Sequence, residues 1–273
     1  MRGGSLQAGD LQAGFALREL PLARLAAVTE VPLQGILSAR GQLQGPLNAI
    51  RPDVAVDLNR PGAGPLRMPD RWQGRLAGDF STGLTLGLAS ADASNPAALK
   101  VLLADDGWPT MLDLERGGGV LRVRSGQARR LQWTADRLSL DGIQLALSAE
   151  TPFQPIRGRL SGEGSLRLQP LELRGAVRVD DPSVQGVALQ QIELDGQLIG
   201  GRFQAQGRLQ PEQGEIQMTA SGRLNAELRS RFEAKQVDVP WLLAVARQLR
   251  GDDADHMSPV GLADDLGRLV IAR

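Results

Sequence analysis

Residues 158–181 read GRLSGEGSLRLQPLELRGAVRVDD, and residues 214–232 read GEIQMTASGRLNAELRSRF. Apolar and polar residues alternate through both segments, for example with Val177 and Val179 on either side of Arg178. Successive side chains of a β-strand point to opposite faces, so this alternation predicts strands with one apolar and one polar face. Gly, Pro, Asp-Gly or Asp-Pro ends each run after roughly 6–10 residues, which is the turn spacing of all-β folds.

The same alternation covers most of the chain and predicts an all-β fold, a long antiparallel-rich β-sheet. Two stretches change to helical spacing and predict short helices near residues 21–28 and 240–249. Residues 1–236 are therefore predicted to form one β repeat segment, with a subdivision near 91–98. The pair Asp141-Gly142 is predicted to form the turn of a β-hairpin.

Residues 237–273 are predicted to hold the second helix, an acidic linker and the start of a next repeat. The basis is an internal match, since LPLARL (20–25) resembles VDVPWL (237–242) and each follows a strand that contains Phe. The segment 266–273 is predicted to be a strand that ends too soon to pair. The chain thus reads as one repeat unit and the beginning of another.

Composition excludes several classes of function. The chain has 273 residues with 31 basic and 31 acidic side chains, and only 3% of its residues are aromatic. A zero net charge and few aromatic rings argue against nucleic acid as a partner. The absence of Cys excludes disulfides, thiol catalysis and Cys-ligated metals. No run of about 18 apolar residues predicts a membrane span, and the N-terminus lacks the apolar core of a signal peptide. We therefore expect an internal piece of a longer protein.

Motifs that carry chemistry are missing from the sequence, so we predict no enzyme, with no catalytic, cofactor-binding or metal-binding residues and no cofactor. The glycines at 117–119 lack the Gly-Lys-Ser/Thr of a phosphate loop and predict a hairpin turn. The single histidine, His256, lies among Asp252, Asp253 and Asp255 without the spacing of a calcium loop. A solvated linker is the simpler interpretation of this acidic segment.

One basic cluster has two interpretations. Its arginines fit either a polar outer face or a weak contact for anionic lipid head groups. They are Arg122, Arg124, Arg129 and Arg130.

Four passages carry a resemblance to a known family. They are the strand–helix–strand passage at 14–59, the L-x-W-x-A-x-x-L-x-L-x-G passage at 131–142, the passage GEGSLRLQPLELRGAVRVDDP at 162–182 and the strand-to-helix passage at 232–249. In these the chain resembles the AsmA-like superfamily, specifically TamB-like envelope-bridging proteins of the cyanobacterial type.

The resemblance implies a sheet curled into a β-groove (β-taco) whose apolar inner face holds lipid acyl chains. It also implies roles in phospholipid transport, outer membrane biogenesis and protein secretion through a translocation and assembly module in the periplasm. Full-length relatives are anchored in the inner membrane. Phospholipid acyl chains and outer-membrane assembly proteins are thus the expected partners, and membrane contact is expected only through flanking regions outside this chain.

The residues themselves predict one continuous apolar face but leave two states open, a dry packed core and a groove open to lipid. A structural scaffold that contacts outer-membrane assembly proteins through its strand edges, without binding lipid, is the alternative function. The residues expected to line the groove are Leu138, Leu140, Leu145, Leu147, Leu166, Leu168, Leu171, Leu173, Val177, Val179, Leu189, Leu194, Phe203, Leu209, Ile216, Met218, Leu224 and Leu228.

Overall fold

The computed structural model describes residues 10–25, 33–46, 49–92, 95–146, 153–168, 170–184, 187–223, 228–237 and 269–272. This part of the chain is nearly all β-strand, which confirms the predicted fold class. The helix predicted near 21–28 begins as a 3-10 turn at Leu22–Leu25. The rest of that helix and the one predicted near 240–249 lie outside the described residues.

The chain divides into two compact units. Unit 1 comprises Met1–Ser125 with Gly142–Phe153, and unit 2 comprises Gly126–Asp141 with Gln154–Arg273. The boundary predicted between residues 236 and 237 therefore falls inside unit 2, and residues 91–98 fall inside unit 1. Each unit is a set of antiparallel strands that follows the alternation read from the sequence.

Unit 1 contains ten of the described strands. They are β1 (Asp10–Pro21), β2 (Leu33–Pro46), β3 (Arg51–Ala63), β4 (Leu66–Arg67), β5 (Arg71–Asp79), β6 (Gly83–Ser90), β7 (Ala97–Leu103), β8 (Pro109–Arg116), β9 (Gly119–Ser125) and β11 (Gln144–Leu145). Strands β1, β2, β3, β5, β6, β7, β8 and β9 pair antiparallel in that order, and the short β4 pairs with β3 and β11. The glycines at 117–118 form the turn between β8 and β9, as predicted.

The apolar face of unit 1 has a buried centre and a half-buried surround, which includes Leu76 and Leu86. Trp72 is 2% exposed, Leu88 4% and Leu114 7%. Arg116 lies at the end of the same face, and its fully buried guanidinium donates to Asp70 over 3.1 Å. This buried charge is therefore held by an ion pair inside the core of unit 1.

The polar face of unit 1 carries cross-strand ion pairs. Arg71 donates two hydrogen bonds from β5 to the Asp57 carboxylate on β3. This hydrogen bonding lowers the pKa of the Asp57 carboxyl below its ordinary value of 3.8. The Arg71 side chain is exposed and that of Asp57 is partly buried, so the pair helps to set the register and adds modestly to stability.

Unit 2 contains the remaining described strands. They are β10 (Arg130–Ser139), β12 (Gln154–Arg167), β13 (Glu172–Val184), β14 (Val187–Ala188), β15 (Gln191–Ile199), β16 (Arg202–Gln210), β17 (Glu215–Arg223), β18 (Leu228–Lys235) and β19 (Leu269–Ala272). Strands β10, β12, β13, β15, β16, β17 and β18 pair in that order, all antiparallel.

Two connections differ from the sequence predictions. Asp141 and Gly142 form a turn but not a hairpin, because β10 pairs with β12 while β11 pairs with β4 of unit 1. The strand predicted at 266–273 exists as β19, yet it does pair, adding to β18 in parallel from Phe232 to Lys235. Both errors concern long-range pairing, which local alternation does not encode.

Candidate functional site

The apolar face of unit 2 is built from rows of residues that run across the strands. Residues directly opposite each other in an antiparallel sheet share a face, so the register defines each row. Three rows are mainly aliphatic. They consist of Leu131, Leu166, Leu173, Leu198 and Phe203; of Ala135, Gly162, Val177, Leu194, Gly207, Met218 and Phe232; and of Leu138, Leu160, Val179, Ile192, Leu209, Ile216 and Ala234.

A fourth row of small residues lies between the first two aliphatic rows. It begins at Trp133 and continues through Gly164, Gly175, Gly196, Ala205, Ala220 and Ser230. The indole of Trp133 lies over the first two glycines, since its Cζ2 atom is 2.7 Å from the position of a Cβ added at either one. The remaining small residues leave a trough, which Leu194 and Leu198 border on β15, Phe203 on β16 and Met218 on β17.

The accessibility of this face changes across the sheet. At β10, Leu131 is 9% exposed and Leu138 3%, which is the burial of a core. On β15 and β16, Leu194 and Leu209 are only half-buried, although they occupy mid-sheet rows. On β13, Leu173 is 42% exposed. The centre of this face therefore stays partly accessible, with fewer buried residues on β15 and β16 than on β10.

Unit 2 carries two shallow depressions of about 880 and 690 Å³, and residues that alternate onto both faces line them. Both are bordered by side chains that alternate onto the polar face, among them Glu163, Asp195 and Gln206. Of the predicted groove residues, the border of the smaller depression includes Val177, Leu194 and Met218. The larger depression includes most of the small-residue row from Trp133 to Ala220, so neither depression is separate from the apolar rows.

The structure places the predicted groove residues in three settings. Ten of them lie in the aliphatic rows of unit 2, namely Leu138, Leu166, Leu173, Val177, Val179, Leu194, Phe203, Leu209, Ile216 and Met218. Four lie in connections, with Leu168 and Leu171 in the β12–β13 turn, Leu140 after β10 and Leu189 after β14. Leu145 belongs to unit 1, where it pairs with Leu66.

The other three predicted residues have no described side chain. Leu147 and Leu224 lie outside the described residues, and Leu228 is described only as part of β18. The prediction also missed members of the same rows, namely Leu131, Leu160, Ile192, Leu198 and Phe232. Alternation was the signal for Leu131, Ile192 and Phe232, each of which lies two residues from another apolar side chain. Glycines occupy the corresponding positions beside Leu160 and Leu198, so their strands gave a weaker signal.

The acidic segment and the arginine cluster were the other candidate sites in the sequence. His256 and Asp252, Asp253 and Asp255 lie outside the described residues. The predicted arginine cluster is split, because Arg122 and Arg124 belong to unit 1 and Arg129 and Arg130 to unit 2. Within the described part of the chain, no cluster of three His, Cys, Asp or Glu side chains could hold a metal.

Comparisons with family models, curated proteins and solved structures found no match to this chain. None of the helical segments in the described ranges has the length and hydropathy needed to cross a bilayer. The family resemblance therefore stays a prediction, and the apolar face of unit 2 is the candidate site on structural grounds.

Proposed function

We propose that this chain is a non-enzymatic segment of a TamB-like periplasmic bridge between the inner and outer membranes. In this proposal, the apolar face of unit 2 holds lipid acyl chains during phospholipid transport or outer-membrane protein assembly. The observation that carries it is the partial exposure of the aliphatic rows in the middle of unit 2, at Leu194 and Leu209. Aliphatic surface left in contact with water is unfavourable, and covering it with another apolar group recovers that free energy.

The chemistry of the rows suits an acyl chain better than a rigid ligand. Their side chains are mainly Leu, Val and Ile, with Met218 on β17 and few rings, so the surface can adapt to a flexible hydrocarbon. Each methylene removed from water contributes about 0.8 kcal/mol. The small residues from β15 to β18 leave a trough roughly 14 Å long, from three strand spacings of about 4.8 Å. An acyl chain lying across the strands would contact the side chains that border this trough.

The test is binding of a fluorescent fatty-acid probe to the full chain, combined with native mass spectrometry of the protein as purified. We expect bound lipid in the purified protein and saturable uptake of the probe. The double variant Leu194→Asn/Leu209→Asn removes one contact from the trough wall and one from the third aliphatic row, and its affinity should fall about tenfold from a loss of roughly 1.5 kcal/mol. The matched control, Gln204→Asn/Gln206→Asn, alters the polar face of β16 and should bind like the wild type.

Two results would reject lipid binding. One is purified protein without lipid that also fails to take up the probe. The other is equal probe affinity for the wall variant and the polar-face control. The circular dichroism spectrum of each variant verifies that it is folded, so that a loss of structure is not mistaken for the loss of a binding site.

A scaffold function is the second candidate, because β18 accepts β19 as an added parallel strand. Among the described pairings this is the only parallel one. Strand addition is a common way to recruit a protein partner through backbone hydrogen bonds. A scaffold would retain outer-membrane assembly partners in the Leu194→Asn/Leu209→Asn variant, whereas a lipid carrier would lose its lipid.

A further inference from the structure

One end of the strands of unit 2 is rich in arginine. The register aligns a row of six residues at the end where β12 turns into β13 and β15 turns into β16. The row, which we call the arginine rim, consists of Arg130, Arg167, Glu172, Ile199, Arg202 and Arg223. It spans roughly 24 Å, from five strand spacings of about 4.8 Å.

The arginine rim carries an excess of positive charge. Four guanidinium groups face one carboxylate, which leaves a net charge of +3 in the row. Glu172 pairs with both Arg130, at 3.3 Å, and Arg167, at 3.9 Å. Arg202 and Arg223 are exposed at the other end of the row. The like charges along the rim repel one another, and a bound anion would reduce that repulsion.

The opposite ends of the same strands have no such excess. There the aligned row contains one arginine and one carboxylate, so its net charge is zero. Its members are Ser139, Arg159, Asp180, Gln191 and Gln210. The positive charge is therefore a property of one end of unit 2 and not of the polar face as a whole.

Exposed leucines accompany the arginine rim. Leu168 and Leu171 lie in the turn directly after Arg167 and are 40% and 44% exposed. Leu173, one residue beyond Glu172, is 42% exposed and lies on the apolar face, opposite to the face of the rim arginines. Apolar side chains beside a line of cations are typical of surfaces that bind at the interface of a membrane, where hydrocarbon and anionic head groups are adjacent.

We propose that the arginine rim and the leucines of the β12–β13 turn form a docking surface for an anionic phospholipid bilayer. The guanidinium groups contact phosphate-bearing head groups, and Leu168 and Leu171 enter the outer part of the acyl region. Nucleic acid fits less well, because it would gain little from exposed leucines and the rim offers no aromatic ring for stacking. This inference does not rest on the acyl-carrier function, since it concerns attachment to a membrane surface and not occupancy of the aliphatic rows.

The experiment is co-sedimentation of the full chain with phosphatidylcholine vesicles, with and without an equal part of phosphatidylglycerol. Binding is expected only to the anionic vesicles and should weaken as salt is raised. The variant Arg202→Ser/Arg223→Ser should bind about thirtyfold more weakly, from about fivefold for each arginine near the surface. The variant Leu168→Ser/Leu171→Ser should also bind more weakly, with its salt dependence unchanged.

The control variant, Arg157→Ser/Arg159→Ser, removes the same charge from the other end of β12 and should bind like the wild type. Equal loss in the rim variant and this control would overturn the proposal, as would equal binding to both kinds of vesicle. Binding to heparin without binding to anionic vesicles would also overturn it and would assign the rim to another polyanion. Probe uptake by the aliphatic rows is unaffected by these outcomes, so the two proposals fail separately.

Discussion

Replacing Leu88 of unit 1 and Leu194 of unit 2 by alanine, one at a time, compares a buried position with a half-buried one. Both leucines lie in the middle of central strands, β6 and β15. Leu88 is 4% exposed, whereas Leu194 is only half-buried. A fully buried Leu→Ala change costs about 3 kcal/mol, from transfer and cavity terms together. At Leu194 part of the side chain already contacts water and the created space is open, so we expect about 1 kcal/mol.

The assay is hydrogen exchange followed by mass spectrometry at increasing urea concentrations, which reports opening of the strands of each unit separately. Leu88→Ala should lower the opening free energy of β5–β7 by about 3 kcal/mol, and Leu194→Ala that of β13–β16 by about 1 kcal/mol. Equal losses of about 3 kcal/mol in both variants would refute the reasoning, because they would show that the face of unit 2 is a packed core.

Three further predictions concern packing and charge. Gly175→Ala would place a Cβ 2.7 Å from Cζ2 of Trp133, so the indole should move. We expect a shift in tryptophan emission and a loss of about 1–3 kcal/mol in unfolding free energy. Asp70→Asn should destabilise unit 1 by about 3 kcal/mol by removing the buried ion pair with Arg116, while Arg116→Met/Asp70→Leu should cost much less in denaturant melts. Because the folded-state pKa of Asp57 is depressed, the stability from its ion pair is present above the ordinary value of 3.8 and is lost as pH falls below it. In denaturant melts measured against pH, the unfolding free energy of Asp57→Asn should therefore fall less on acidification than that of the wild type.

Local pattern was enough to predict strands but not their partners. Alternation identified the apolar positions of β13, where Leu173, Val177 and Val179 all fall in the aliphatic rows. It could not tell that Leu145 pairs with β4 in unit 1 while β10 pairs with β12. Pairing depends on contacts between residues far apart in sequence, and the two-residue period is the same for every possible partner.

The limits of the predicted site have the same origin. Leu168 and Leu171 continue the alternation of their strands, yet Pro170 lies between them and the chain turns there. Their partial exposure follows from that turn. Their position outside the aliphatic rows could have been predicted only by knowing where β12 ends. The trough beside Trp133 could not be predicted from the sequence either. It is formed by glycines and alanines on different strands, and only the register brings them into line.

The measurement that tests the central claim most directly is photo-crosslinking with a phospholipid that carries a diazirine on its acyl chain, followed by mapping of the labelled residues. The account predicts labels on the aliphatic rows of β13–β17, at positions such as Val177, Leu194 and Met218. Unlabelled phospholipid should compete for them. Labelling confined to unit 1 or to the exposed turn leucines, or no labelling that a competitor reduces, would contradict the claim that the apolar face of unit 2 holds acyl chains.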